Sequence, residues 1–179
     1  MAAVADRKPD AHGFALRDGS TILIAPLEPG DDGTITRWFA ALEPDTRYSR
    51  FLAPVERLGP SVLHRLADVD HHDHEALVAL APDHAVIGIA RYIRGANPEA
   101  AEVAMTVADR WRGRGVATLL LRELSTRARS AGIRRFWATC LSTNDAIIRL
   151  LTRLGPSSVS APDAGVVQVR IALEDQPGA

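Results

Sequence analysis

The chain has 179 residues, of which 46% are hydrophobic, and this length suits one well-buried domain better than two of ordinary size. Its 21 basic and 22 acidic residues give a net charge of -1, so the chain lacks the positive field of a nucleic-acid-binding protein. The single cysteine, Cys140, excludes an intramolecular disulfide, and no apolar run reaches the roughly 18 residues of a membrane span, so we expect a cytoplasmic protein without membrane or nucleic-acid partners.

The N-terminal segment differs in composition from the rest of the chain. Residues 1 to 19 are rich in Ala, Asp, Pro and Gly and show no sustained periodicity, which predicts a flexible tail. We expect one domain after it, spanning residues 20 to 175. The first half of this domain predicts a strand at residues 21 to 26 and helices at residues 31 or 32 to 42, 44 to 51 and 61 to 67.

The second half alternates between strand and helix signals. The predicted elements are strands at residues 76 to 81, 86 to 93 and 102 to 107, a helix at 115 to 130, a strand at 135 to 140, a helix at 144 to 154 and a strand at 166 to 173. Turn signals at Asp83 and at Asn97-Pro98 separate the first three strands, so we expect an antiparallel meander. The periodicities alone predict a mixed α/β domain with helices packed on a central sheet.

A turn rich in arginine and glycine lies between the third strand of the meander and the following helix. It reads Arg112-Gly-Arg-Gly115 and places backbone N–H groups at a helix start beside cationic side chains, which suits a phosphorylated ligand. A dinucleotide fingerprint would need an acidic residue about 20 positions later, and none stands there at a strand end. A Walker loop would need a Gly-Lys pair, and the only lysine is Lys8.

The pattern Arg112-x-x-Gly115-x-Ala117 resembles the pyrophosphate-binding turn of the GNAT superfamily of acetyl-CoA-dependent N-acetyltransferases. The order of predicted elements also matches the GNAT fold, an α/β (α+β) domain with a mixed, largely antiparallel central sheet flanked by helices. The resemblance implies acetyl-CoA as the cosubstrate and no metal. It implies these coenzyme-binding residues: Met105, Thr106, Val107, Arg112, Gly113, Arg114, Gly115, Val116, Ala117, Thr118 and Asn144.

Further segments look like the acetyltransferase domain of bacterial Pat-type protein lysine acetyltransferases. These are residues 42 to 51, 69 to 79 and 87 to 92, together with Ala101-Glu102, and the resemblance covers about residues 18 to 155. It implies a lysine ε-amine as the acceptor, on a protein such as an acyl-CoA synthetase. It also implies a catalytic role for Glu102.

Glu102 suits a general base because a lysine ammonium, whose pKa in water is about 10.4, must lose a proton before it can attack. We expect its neighbours Ala101, Val103 and Ala104 to desolvate the carboxylate. The alternative is a surface or strand-end glutamate in an ordinary salt bridge. Asn144 likewise has an alternative role, as a plain N-cap of its helix.

Two positions depart from the family pattern. Leu151 stands where the family usually has the tyrosine that acts as general acid, and Pro156 stands where it usually has phenylalanine. These departures keep open an acetyl-CoA-binding sensor module with weak chemistry. Acetylation of a small amine, such as an aminoglycoside or a polyamine, is a further alternative.

Two further features have a chemical and a structural interpretation. The segment Asp70-His-His-Asp-His-Glu75 resembles a metal-ligand cluster, but we favour a polar loop, in which Asp68, Asp70, Asp73 and Glu75 form an acidic approach for a cationic acceptor. An acyl-cysteine is possible at Cys140, but we favour buried strand packing.

Overall fold

One sheet of eight strands extends through residues 11 to 174, the part of the chain that the computed structural model describes. Its strands are β1 His12–Ala15, β2 Thr21–Pro26, β3 His74–Leu80, β4 Val86–Arg94, β5 Ala100–Val107, β6 Arg135–Leu141, β7 Ser157–Val159 and β8 Val166–Ala172. The helices are α1 Asp32–Ala40, α2 Pro44–Phe51, α3 Pro60–Ala67, α4 Val116–Ser130 and α5 Asp145–Thr152. The strand order is β1-β2-β3-β4-β5-β6-β8-β7, and every neighbouring pair is antiparallel except β5 and β6.

Helices cover both faces of the central strands, which is why β3 is buried along its whole length. On one face Leu120 and Leu124 of α4 share a core cluster with Tyr92 and Val103. On the other face α1 and α3 pack against alternate residues of β3 and β4, among them Ile89. Because side chains alternate along a strand, Arg91 of β4 and Glu102 of β5 belong to this second face.

The junction between β5 and β6 is short. Only Ala100 to Glu102 pair with Arg135 to Trp137, after which the two strands separate. β5 continues to Val107 and β6 to Leu141 without pairing to each other, so the sheet opens into a cleft at its centre.

The mixed, largely antiparallel sheet and the meander β3-β4-β5 are confirmed. The predicted tail is wrong in one part, because His12–Ala15 forms a strand that pairs with β2, His12 opposite Ile24. Its first ten residues and the predicted domain end at residue 175 lie outside the described residues. The short, exposed strand β7 was not predicted, since Ser157–Val159 shows no apolar alternation. Between residues 11 and 174 no helix is long and apolar enough to cross a membrane.

Candidate active site

A cavity of about 840 Å³ fills the opening between β5 and β6. Its walls come from α2, β5, the turn before α4, the first residues of α4, β6 and α5. The structure brings eleven of the twelve predicted site residues to this cavity: Glu102, Met105, Thr106, Val107, Arg112, Gly113, Gly115, Val116, Ala117, Thr118 and Asn144.

The turn before α4 has the backbone of an anion-binding turn. Gly113 has φ +73° and Gly115 has φ +98°, a left-handed region that favours glycine. Gly115 is the N-cap of α4, and no side chain caps the helix there. The N–H groups of the first turn therefore remain available to a ligand at the positive end of a fifteen-residue helix.

The two arginines of this turn have different surroundings. Arg112 lines the cavity, where its Nη2 donates to Thr46 Oγ1 at 2.6 Å and its Nη1 lies 3.1 Å from Asp109 Oδ1. It is therefore held by α2 and by the short 3₁₀ helix Asp109–Trp111.

Arg114 does not line the cavity, contrary to prediction. Its Nε donates to Asp18 Oδ2 at 2.6 Å, its Nη2 donates to Ser20 Oγ at 3.1 Å, and the guanidinium stacks on the Trp111 ring at 4.1 Å. Hydrogen bonds from the side chain and backbone of Ser20, and then the Arg114 guanidinium, lower the pKa of Asp18 to about 2. Of these partners, Asp18 lies within the segment of residues 1 to 19 that the sequence suggested was a tail.

Glu102 lines the cavity at the point where β5 and β6 separate, opposite Trp137 in register. The expected desolvation is not found, because the Glu102 side chain is exposed. Its neighbours Ala101 and Val103 are buried on the other face, against α4, so they do not cover the carboxylate.

The charged lining of the cavity is strongly asymmetric. Glu102 is the one carboxylate among the described lining residues, and the other charged side chains are Arg17, Arg50, Arg112, Arg149 and Arg153. This lining suits a ligand with several negative charges. Sequence reasoning missed Arg50, because the helix Pro44–Phe51 carries no local sign that it faces a site.

A family profile for the acetyltransferase (GNAT) family matches residues 35 to 155. The chain belongs to the acetyltransferase (GNAT) family. It is an acetyl-CoA-dependent acyltransferase of that family, and the sequence interpretation of its fold and enzyme class is confirmed.

Several relatives share most of the GNAT domain. The chain is 32% identical to acetyltransferase PA5475 of Pseudomonas aeruginosa over 152 residues, which is 83% of this chain and 82% of that protein. It is 35% identical to acetyltransferase Pat of Mycolicibacterium smegmatis over 161 residues, 87% of this chain but 47% of Pat, so the chain spans about half the length of that relative.

Solved structures agree with the GNAT fold. The GNAT domain of S. lividans PAT superposes with a TM-score of 0.82 at 30% identity, covering 91% of this chain and 97% of that one. A Salmonella typhimurium protein solved with its cofactor acetyl-CoA shares the fold, with a TM-score of 0.67 at 20% identity, covering 88% of this chain and 96% of that one.

The helix α5 closes the GNAT cavity on the β6 side. Asn144 caps it, accepting the N–H of Ile147 at 3.3 Å, and also lines the cavity. Leu151 is buried and also lines the cavity, and a leucine offers no phenol at this position. Cys140 lines the cavity too, but burial raises the pKa of its thiol, which disfavours a nucleophilic thiolate.

The acidic residues at the start of β3 and just before it do not line the cavity. Asp70 Oδ1 accepts the backbone N–H groups of the three residues at positions 72 to 74, and Glu75 is buried with contacts to Arg127 at 3.1 Å and His71 at 2.9 Å. The predicted acidic approach is therefore wrong as a border of this site. Within residues 11 to 174 no group of three or more His, Cys, Asp or Glu could hold a metal ion.

Proposed function

We propose that this GNAT enzyme transfers acetyl from acetyl-CoA to the ε-amine of a protein lysine, with Glu102 as the general base. The observation that carries the proposal is the position of Glu102, an exposed carboxylate at the point where the cleft opens. An exposed base can be reached by a lysine that projects from a folded partner. The similarity to Pat of M. smegmatis and to the S. lividans PAT domain supports the same acceptor class.

The residues of the cleft fit acetyl-CoA, which supplies an acetyl thioester when bound. The N–H groups of residues 113 to 118 and the Arg112 guanidinium would hold its pyrophosphate. The separated part of β5, Met105 to Val107, would offer backbone groups to its amides. Asn144 would border the coenzyme from α5.

Glu102 would take a proton from the acceptor ammonium, so that the neutral amine attacks the acetyl carbonyl. Leu151 cannot protonate the departing sulfur. A thiol, whose pKa in water is about 8.5, leaves adequately as a thiolate, so this loss does not abolish transfer.

The buried Leu151 does favour a second candidate, a module that binds acetyl-CoA with little transfer. A third, acetylation of a small amine, uses the same cleft. Radiolabelled acetyl-CoA separates the three when it is supplied with a purified acyl-CoA synthetase, with spermidine and with an aminoglycoside. We expect label on a synthetase lysine, located by mass spectrometry. Label in the small amines alone would contradict the lysine acceptor, and binding without transfer to any acceptor would favour the module.

A further inference from the structure

Arg50 places a cation in the cavity that Glu102 also lines. It lies near the end of α2, is partly buried, and lines the same cavity. Its guanidinium stacks on the Phe51 ring at 5.2 Å but makes no hydrogen bond or ion pair with any described residue. Burial lowers the pKa of Arg50, and the opposing negative charge of Glu102 raises it, so the two groups are within electrostatic range.

A second cation lies on the sheet face that carries Glu102. Arg91 is 3% exposed on β4 and pairs in register with Ala104, on the sheet face that carries Glu102. Its Nη1 donates to the carbonyl of Leu66 at 2.7 Å, and its Nη2 has no partner among the described residues. No carboxylate of residues 11 to 174 forms an ion pair with Arg91. Burial, and then the charge of Arg50, lowers its pKa to about 9, so it remains charged at neutral pH.

The other titratable groups around this point offset the two arginines only in part: Asp68 and Asp70 act on His74, and Asp145 lies 3.8 Å from Arg149. Burial lowers the pKa of His74, next to Arg91, so the imidazole is neutral at neutral pH. Burial raises the pKa of the Cys140 thiol and keeps it protonated, and Asp109 pairs with Arg112. The α5 arginine Arg149 and its neighbour Arg153 add further positive charge to the cavity wall. Two guanidinium groups therefore oppose the single carboxylate of Glu102.

We propose that Arg50, supported by Arg91, destabilises the ammonium form of the acceptor lysine at Glu102 and so delivers the amine in its neutral, nucleophilic form. The inference rests on the proposed transfer to an amine beside Glu102. A carboxylate alone would stabilise the ammonium and oppose its deprotonation. A neighbouring cation has the opposite effect, which is a general means of activating an amine nucleophile.

The test is the pH dependence of kcat with an acyl-CoA synthetase as acceptor, at saturating acetyl-CoA. In Arg50→Gln the acid limb of the profile should move to higher pH by about one unit, with about a tenfold loss at neutral pH that is recovered in alkali. Arg50→Lys keeps the charge and should restore most of the wild-type profile. Arg57→Gln is the matched control, because Arg57 is exposed in the loop after α2 and does not line the cavity.

A second acceptor identifies which group titrates. Replacing the target lysine of the synthetase by cysteine and aminoethylating it gives thialysine, whose ammonium is more acidic because of the nearby sulfur. If the limb belongs to the amine, thialysine should shift it to lower pH and relieve the Arg50→Gln defect. If the limb belongs to Glu102, thialysine leaves it in place, and the proposal is overturned.

The two proposals fail in different ways. Wild-type enzyme that labels no lysine refutes the proposed function, and the role of Arg50 with it. If the wild-type enzyme labels lysine but the acid limb of Arg50→Gln lies at the same pH as that of the wild type, only the role of Arg50 is refuted.

Discussion

Arg112 donates a hydrogen bond from Nη2 to Oγ1 of Thr46 at 2.6 Å, across a separation of 66 residues. Thr46 is buried in α2 and donates its own proton toward the Asp109 carboxylate, whose oxygens lie at 2.8 and 2.9 Å. One hydroxyl thus connects α2 to Asp109 of the 3₁₀ helix and to Arg112 of the turn before α4. The helix that supplies Arg50 also holds the arginine at the other end of the cleft.

Thr46→Val should weaken acetyl-CoA binding, because Arg112 loses the acceptor that orients it and the Asp109 carboxylate loses a donor. We expect a loss of about 1 kcal/mol in binding free energy, or roughly fivefold in Kd. Thr46→Ser keeps the hydroxyl and should bind as the wild type does. Titration calorimetry would measure the Kd of both variants. Equal Kd values for the wild type and Thr46→Val would contradict the role of Thr46 in orienting Arg112.

Arg112 and Arg114, the two arginines of the turn, should differ in their contribution to the affinity for acetyl-CoA. Arg112→Gln removes a guanidinium that lines the cavity and should raise Kd about tenfold, since charge-assisted hydrogen bonds contribute about 1.5 to 3 kcal/mol. Arg114→Gln should change Kd little, because Arg114 is paired with Asp18 and Ser20. Calorimetry on the two variants decides this, and an equal loss for both would show that Arg114 turns to the ligand.

Gly115→Val should abolish acetyl-CoA binding, because the side chain would stand where the backbone must approach the pyrophosphate. Valine also strains the left-handed backbone, at roughly 1 to 2 kcal/mol of folding free energy. Gly132→Val is the matched control, since Gly132 has φ +81° after α4 and lies outside the cavity. The two variants should lose similar stability in thermal melts, and only Gly115→Val should lose binding. Retained binding in Gly115→Val would remove the pyrophosphate site from this turn.

Glu102→Gln should reduce kcat by about 10² to 10⁴, the usual contribution of a general base, and leave the Kd for acetyl-CoA unchanged. Glu99→Gln is its control, because Glu99 is exposed, pairs with Arg135 at 3.2 Å and does not line the cavity. Steady-state rates at neutral pH measure the difference. Near-normal turnover by Glu102→Gln would place the base elsewhere.

Gly155→Ala tests a position where space, not backbone angle, requires glycine. A Cβ there would collide with the carbonyl oxygen of Ala172 on β8, and backbone cannot move aside cheaply. We expect a loss of about 1 to 3 kcal/mol in the free energy of unfolding. Gly95→Ala, whose Cβ would stand 3.5 Å from the carbonyl of Ala100, should cost less in the same denaturant titration. Equal stability of the two variants would disprove the collision.

Short sequence motifs predicted the features of the site that depend only on residues close together in the chain. The glycine turn at the start of a helix and the cap at Asn144 depend on a few consecutive residues; the structure places a left-handed Gly115 at the N-cap of α4 and Asn144 at the N-cap of α5. Arg114 and Arg50 show the limit of this reasoning. The first pairs with Asp18, 96 residues away, and the second lines the same cavity as Glu102 only because α2 packs on β5. Almost all the basic residues of this chain are arginines, and the tertiary packing determines which of them line the cleft.

The β-ladder that joins the first five strands to the last three has three residue pairs within the described sheet, all of them between β5 and β6. A molecule lying in the cleft touches both parts and adds its contacts where the backbone ladder stops. Because a ligand that binds only the folded form stabilises it in proportion to the logarithm of its concentration, acetyl-CoA should fasten the two parts together. Amide hydrogens along the separated halves of β5 and β6 should then exchange more slowly as the cosubstrate rises. The cosubstrate that the reaction consumes would thereby also stabilise the junction between the two parts of the sheet.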